Sequence, residues 1–132
     1  MSDKLPPAGR AEQVDRVRGR LEVLVGDGSD AEFALVSRVV AGFGPKARGL
    51  LAALAEAATA LDGAACVQHA HALKGAALTL GSVDLAAACE RLELRARSTG
   101  QLPEEHELGL LADEVDRFVA LLAEVGPSVL RS

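Results

Sequence analysis

Apolar residues return at three- and four-residue steps along almost the whole chain, with polar residues between them. This is the period of amphipathic helices. Val14, Val17, Leu21 and Leu24 form one such stripe and predict a first helix over residues 12–25. Gly26-Asp27-Gly28 breaks it, and Ser29 or Asp30 then offers a side-chain oxygen to cap the next helix. In that second segment Phe33, Val36, Val40, Phe43, Ala47, Leu50, Leu54 and Leu61 keep one phase throughout. Gly44-Pro45 falls inside it, and Pro45 cannot donate to the carbonyl of Ala41. The stripe does not lose phase across the proline, so one kinked helix is expected rather than two.

Asp62-Gly63 marks a turn, and a third helix follows over residues 64–80 with the stripe Cys66, His69, Leu73, Ala76 and Leu80. Gly81 ends it. Ser82 can cap a fourth helix over residues 83–98, which buries Leu85, Cys89, Leu92 and Ala96 before Thr99-Gly100 closes it. Pro103, Glu104 and Glu105 suit the first turn of a fifth helix. Proline fits where the N–H has no helical partner, and acids favour the positive end of the dipole. Leu108, Leu111, Val115, Phe118 and Leu122 make the apolar face of that helix, and Gly126-Pro127 is expected to stop it. Four long helices with short connections pack most simply as an all-α, up-down four-helix bundle, with the first helix lying across it as a cover. Residues 1–10 read as a disordered N-terminal lead and residues 11–128 as one domain.

Composition narrows the class. The chain has 132 residues, 49% of them hydrophobic, enough for one core. Trp and Tyr are absent and Phe occurs three times, so Ala and Leu, both strong helix formers, supply the apolar surface. The formal net charge of −5 argues against a nucleic-acid partner, which would call for a basic face. No segment reaches the apolar length of a membrane span, and the N-terminus lacks the apolar core of a signal peptide. A cytoplasmic, monomeric protein is expected. Cys66 and Cys89 are too few and too far apart for a disulfide framework or a Cys-based metal site, and read as buried reduced thiols.

The chemistry concentrates in the run Ala70-His71-Ala72-Leu73-Lys74-Gly75. His69 and His71 are two residues apart and so point about 200° from one another on a helix. His69 falls on the apolar stripe and reads as a packed, hydrogen-bonded core histidine. His71 points outward, with Gln68, Lys74, Gly75 and Leu78 as its helical neighbours. His106, among Glu104, Glu105 and Glu107, reads as a solvated surface residue. A metal site at His71 is not expected, because no second histidine or carboxylate lies a turn away. Hydrolytic catalysis is not expected either, because no Ser or Cys within the helix is placed for His71 to activate. Phosphoryl chemistry suits what is present. A neutral imidazole can attack phosphorus, Lys74 can offset the incoming charge, and Gly75 removes a side chain that would crowd a partner.

With these residues assembled, the stretch from Gln68 to Arg97 resembles the histidine-containing phosphotransfer (HPt) domains of two-component phosphorelays. The shared pattern is Ala70-His71-Ala72-Leu73-Lys74-Gly75, then Leu80-Gly81, then Cys89-Glu90-Arg91-Leu92-Glu93 on the next helix. The resemblance implies that His71 is phosphorylated, that Lys74 steadies the phosphoryl group and that Gly75 admits the partner. It also implies support from Gln68, Glu93 and Arg97, with Glu93 either hydrogen-bonding the imidazole or turning toward Arg97. Ala72, Leu78 and Thr79 would form the docking patch. Ala76 and Thr79 stand where the family commonly has serine and asparagine. The implied function is that of a phosphoryl carrier rather than an enzyme. It would accept the group from a receiver-domain aspartate and pass it to another receiver, in a pathway headed by a histidine kinase or hybrid kinase. No nucleotide-binding glycine motif is present. No cofactor is expected on this chain, and Mg²⁺ is expected on the receiver. Two alternatives remain: a non-catalytic interaction module with the HPt fold, and a phosphotransfer domain of a larger hybrid or chemotaxis kinase.

Overall fold

The computed structural model describes residues 9–26 and 28–130. The expected lead over residues 1–10 therefore lies outside the described residues, apart from Gly9 and Arg10. Five helices make up the described chain: α1 (Arg10–Val25), α2 (Asp30–Thr59), α3 (Gly63–Thr79), α4 (Val83–Thr99) and α5 (Glu105–Leu130). No strand occurs among the described residues. α3 packs most extensively on α4 and then on α2, α2 also packs on α5, and α1 lies against α5 and α2.

Three of the helices start where a short polar side chain meets a free backbone N–H. Ser29 Oγ accepts from Glu32 N at 3.2 Å, and Asp62 Oδ1 accepts from Ala65 N at 3.0 Å. Ser82 Oγ accepts from Leu85 N at 3.4 Å. α2 runs unbroken through Pro45. Ala41 and Pro45 are both exposed, so water can solvate the carbonyl that the proline leaves without a donor. The apolar stripe on the other side keeps Phe43 and Ala47 in the core. Leu61 departs from the expected stripe: α2 ends at Thr59, and Leu61 stands exposed in the turn with φ +58°.

Two further expectations are corrected. α5 does not stop at Gly126-Pro127 but continues to Leu130. Pro127 falls in the last turn and removes only the bond to the exposed Ala123 carbonyl. Burial of Val125 and packing of Val129 and Leu130 against the core carry the helix past it. In α3 the buried line is Cys66, Ala70, Leu73 and Ala77, rather than one through His69 and Ala76. His69 and Ala76 are half-buried at its edge. The helix is rotated so that the methyls of Ala70 and Ala77 are buried in place of His69 and Ala76.

Tight turns set α3 between its neighbours. Asp62 N bonds Ala57 O at 2.9 Å at one end, and Ser82 N bonds Ala77 O at 2.9 Å at the other. Gly81 adopts φ +87°, a conformation that side chains resist. These turns fix the rotation of α3 and so decide which residues it presents outward. The core is closed at the other side by an edge-to-face contact of Phe43 with Phe118, centroids 5.1 Å apart.

Candidate functional site

His71 projects from the middle of α3 with 65% of its side chain exposed, and its Nδ1 lies 3.1 Å from Oε2 of Glu93 on α4. Glu93 is only 2% exposed. A buried carboxylate must be paired to be tolerated, and this one meets three groups. Lys74 Nζ lies 2.9 Å from Oε1, and an Arg97 amino nitrogen lies 3.1 Å from Oε2. The hydrogen bond from Lys74, reinforced by His71, holds the Glu93 carboxyl below the usual carboxylate range although burial pushes the other way.

Because the ionised carboxylate can only accept, the Nδ1 position of His71 carries the ring proton when the imidazole is neutral. The lone pair then sits on Nε2, which has no protein partner among the described residues. Two cations, Lys74 and Arg97, face this one carboxylate. Lys74, with a 19% exposed side chain, is drawn onto Glu93. Arg97, 59% exposed, shares with His71 the same carboxylate oxygen.

Around the imidazole the surface is open. A Cβ built on Gly75 would meet nothing within 4 Å, so no contact inside the chain calls for glycine there. Gln68, Ala72, Leu78 and Thr79 are exposed on the same helix. Thr79 turns its hydroxyl back to the Gly75 carbonyl at 2.9 Å, and its own carbonyl accepts from Arg20 Nε of α1 at 2.9 Å.

The Hpt domain family matches residues 38–121, a segment that holds α3 and α4 whole and most of α2 and α5. The chain belongs to this family. Hpt domains carry phosphoryl groups on histidine in phosphorelays rather than working from an ATP site of their own. No curated protein and no solved structure matches the chain.

Within this Hpt domain the other two histidines are placed differently. His69 is half-buried and, contrary to expectation, makes no hydrogen bond among the described residues. His106 is exposed, 3.4 Å from Glu104. Cys66 and Cys89 are buried and unpaired with one another. Burial pushes the Cys89 thiol up to about 12, which leaves it without thiolate at neutral pH. No cluster of three or more His, Cys, Asp or Glu suited to a metal occurs among the described residues, and no described helix is long and apolar enough to cross a membrane. The capture of Lys74 by Glu93 and the reach of Arg20 to Thr79 were not foreseen from the sequence. Both join residues far apart in the chain, and no local pattern signals such contacts.

Proposed function

We propose that this Hpt domain relays a phosphoryl group through His71. It would take the group from the phosphoaspartate of a response-regulator receiver domain and pass it to a second receiver, downstream of a histidine or hybrid kinase in the cytoplasm. The observation that carries the reading is the exposed imidazole tied by Nδ1 to the buried carboxylate of Glu93. That bond orients the ring and leaves Nε2 as the nucleophile.

In the transfer, the Nε2 lone pair attacks phosphorus, the N–P bond forms and the aspartyl O–P bond breaks. The aspartate departs as a carboxylate, and the Nδ1 proton stays on His71, shared with Glu93. Lys74 and Arg97 offset the charge that arrives, and Glu93 keeps both cations beside the ring. Phosphoryl transfer depends mainly on such positioning and electrostatics. Gln68 flanks the ring one turn earlier. Gly75 leaves room for the receiver's loops, and Ala72, Leu78 and Thr79 give a small, largely uncharged contact surface. The receiver supplies Mg²⁺ and the remaining catalytic groups, so a monomeric carrier without a nucleotide site suffices.

The decisive experiment incubates the protein with phosphorylated receiver domains of the source genome. His71→Gln is expected to abolish labelling with the fold unchanged by circular dichroism, while His69→Gln retains it. Label retained on the His71 variant, or lost only from the His69 variant, overturns the assignment. A native protein that no receiver labels would point instead to a non-catalytic interaction module.

A further inference from the structure

Beyond Leu92, α4 buries no large apolar side chain. Leu94 is half-exposed, Arg97, Ser98 and Thr99 are exposed, and Ala96 is the apolar residue that turns inward. Glu93 lies in this stretch, buried, and must keep one orientation to meet His71 Nδ1 at 3.1 Å. A turn of the helix by about 20° about its axis moves a group at its rim, about 5–6 Å out, by about 2 Å. That is enough to lose such a bond. Something other than apolar packing therefore has to hold the end of α4.

Arg95 supplies a tie on the opposite side. Two residues from Glu93, it points about 200° away around the helix, toward α5 instead of α3. An amino nitrogen of Arg95 lies 2.5 Å from Glu107 Oε1, the one ion pair that joins α4 to α5 among the described residues. The same oxygen accepts from Glu104 N at 3.0 Å, which anchors it at the start of α5. The hydrogen bond from Arg95 holds the Glu107 carboxyl below the usual carboxylate range although burial pushes the other way, so the pair is ionised at neutral pH. Arg95 Nε is buried and has no hydrogen-bond partner among the described residues. An unsatisfied buried donor costs stability, and apolar residues in place of a buried pair are often as stable or more so. What the pair offers beyond them is a fixed register.

We propose that Arg95 is a positioning residue for His71: its ion pair with Glu107 holds the end of α4 at the rotation that sets the Glu93 carboxylate against Nδ1. Arg95 touches neither the ring nor an incoming phosphoryl group and acts through Glu93. When α4 turns away, the ring loses the acceptor that keeps its proton on Nδ1. The Nε2–H form then grows, and in that form Nε2 has no lone pair to offer phosphorus. The consequence for transfer rests on the relay reading above, whereas the effect on the ring can be read without a partner.

The test reads His71 in the full chain by two-bond ¹H–¹⁵N correlation, which reports the ring nitrogen that carries the proton. Labelling by phosphoramidate, a small donor that needs no docking surface, is measured beside it. Arg95→Met keeps the length and the apolar stem of the side chain and removes its cation. In this variant the native Nδ1–H ring is expected to give way to a mixture with Nε2–H, and labelling to slow on the order of 10-fold, with the chain still folded by circular dichroism. Arg95→Lys restores a cation within reach of Glu107 and should return most of the native ring state and rate. A native ring and a native rate in Arg95→Met, whatever its melting temperature, would overturn the proposal and leave the pair a structural contact. So would an Arg95→Lys variant that behaves as Arg95→Met does. Should Arg95→Met fail to fold, Glu107→Gln decides, because it keeps the acceptor for Arg95 and for Glu104 N and removes only the charge. A smaller shift in the same direction is expected there, and an unchanged ring overturns the proposal. Failure of the relay reading looks different: phosphoramidate labels the native protein, the ring responds to Arg95 as expected, and no receiver transfers to it.

Discussion

A glycine inside a helix costs about 0.5–1 kcal/mol relative to alanine, and at Gly75 an added methyl would meet nothing within 4 Å. Gly75→Ala should therefore raise the stability of the isolated protein by about that amount, seen as a melting temperature a few degrees higher. If the open face is a docking surface, the same change slows transfer from a receiver. Faster or unchanged transfer would remove Gly75 from the contact. Glu93 acts in the opposite sense, as a buried charge that three groups compensate. Glu93→Gln keeps the volume and an acceptor for Nδ1 but leaves Lys74 and Arg97 without their anion, at a cost of roughly 1–3 kcal/mol near neutral pH. The sign with pH comes from linkage. The folded pKa of Glu93 lies below its unfolded value, so its contribution is complete above the ordinary glutamate value of about 4.3 and is lost as pH falls through the folded one. Urea midpoints of native and variant proteins should converge on acidification. A gap that stays constant down to about pH 3, below the ordinary glutamate value, would assign the stability to packing instead. The outward position of His71 and its nearness to Lys74 were legible in the sequence, because both depend only on spacing along one helix. The burial of Glu93 was not, because it depends on the rotation of α4 against α3.

Elements show where local pattern suffices and where it fails. Ser82, and Ser29 as one of two candidates, were readable as caps because capping needs only a short polar side chain beside a free N–H, whereas Asp62, legible only as part of a turn, also caps α3. Gly81 was readable as a stop, and the structure gives two reasons for it: φ is +87°, and a Cβ there would stand 3.2 Å from Arg20 Cβ on α1. Gly81→Ala should cost roughly 1–2 kcal/mol from the left-handed conformation alone, measured as a lower urea midpoint. An unchanged midpoint would mean that the turn and α1 relax together. The expectation for α5 failed at Gly126-Pro127 because a proline ends a helix only when the lost bond and the ring clash outweigh the packing of the residues beyond it. Here one solvent-facing carbonyl weighs against the burial of Val129 and Leu130 on the core. The stripe of α3 was misphased for a related reason. Alanine contributes little to a hydrophobic pattern, yet Ala70 and Ala77 are the residues that close packing buries.

At the scale of the molecule, α1 and α5 hold in place the helices that carry the site. Phe43 on α2 meets Phe118 on α5, Arg95 on α4 pairs with Glu107 at the start of α5 at 2.5 Å, and Gln13 on α1 reaches Asp84 on α4 at 3.0 Å. The family match begins inside α2, so α1 lies outside the matched segment. It meets the site's surroundings through Arg20 and Thr79. By itself the sequence determined an all-helical chain, most of its turns and caps, and the outward run of His71, Lys74 and Gly75. All of these depend on spacing within one helix or chemistry within one turn. Tertiary structure alone decided that Lys74 joins His71 and Arg97 on Glu93, that this carboxylate is buried, and that His69 stays at the edge of the core. Those outcomes depend on how far each helix rotates about its axis when it packs, and a periodic pattern fixes that rotation only to within a few tens of degrees.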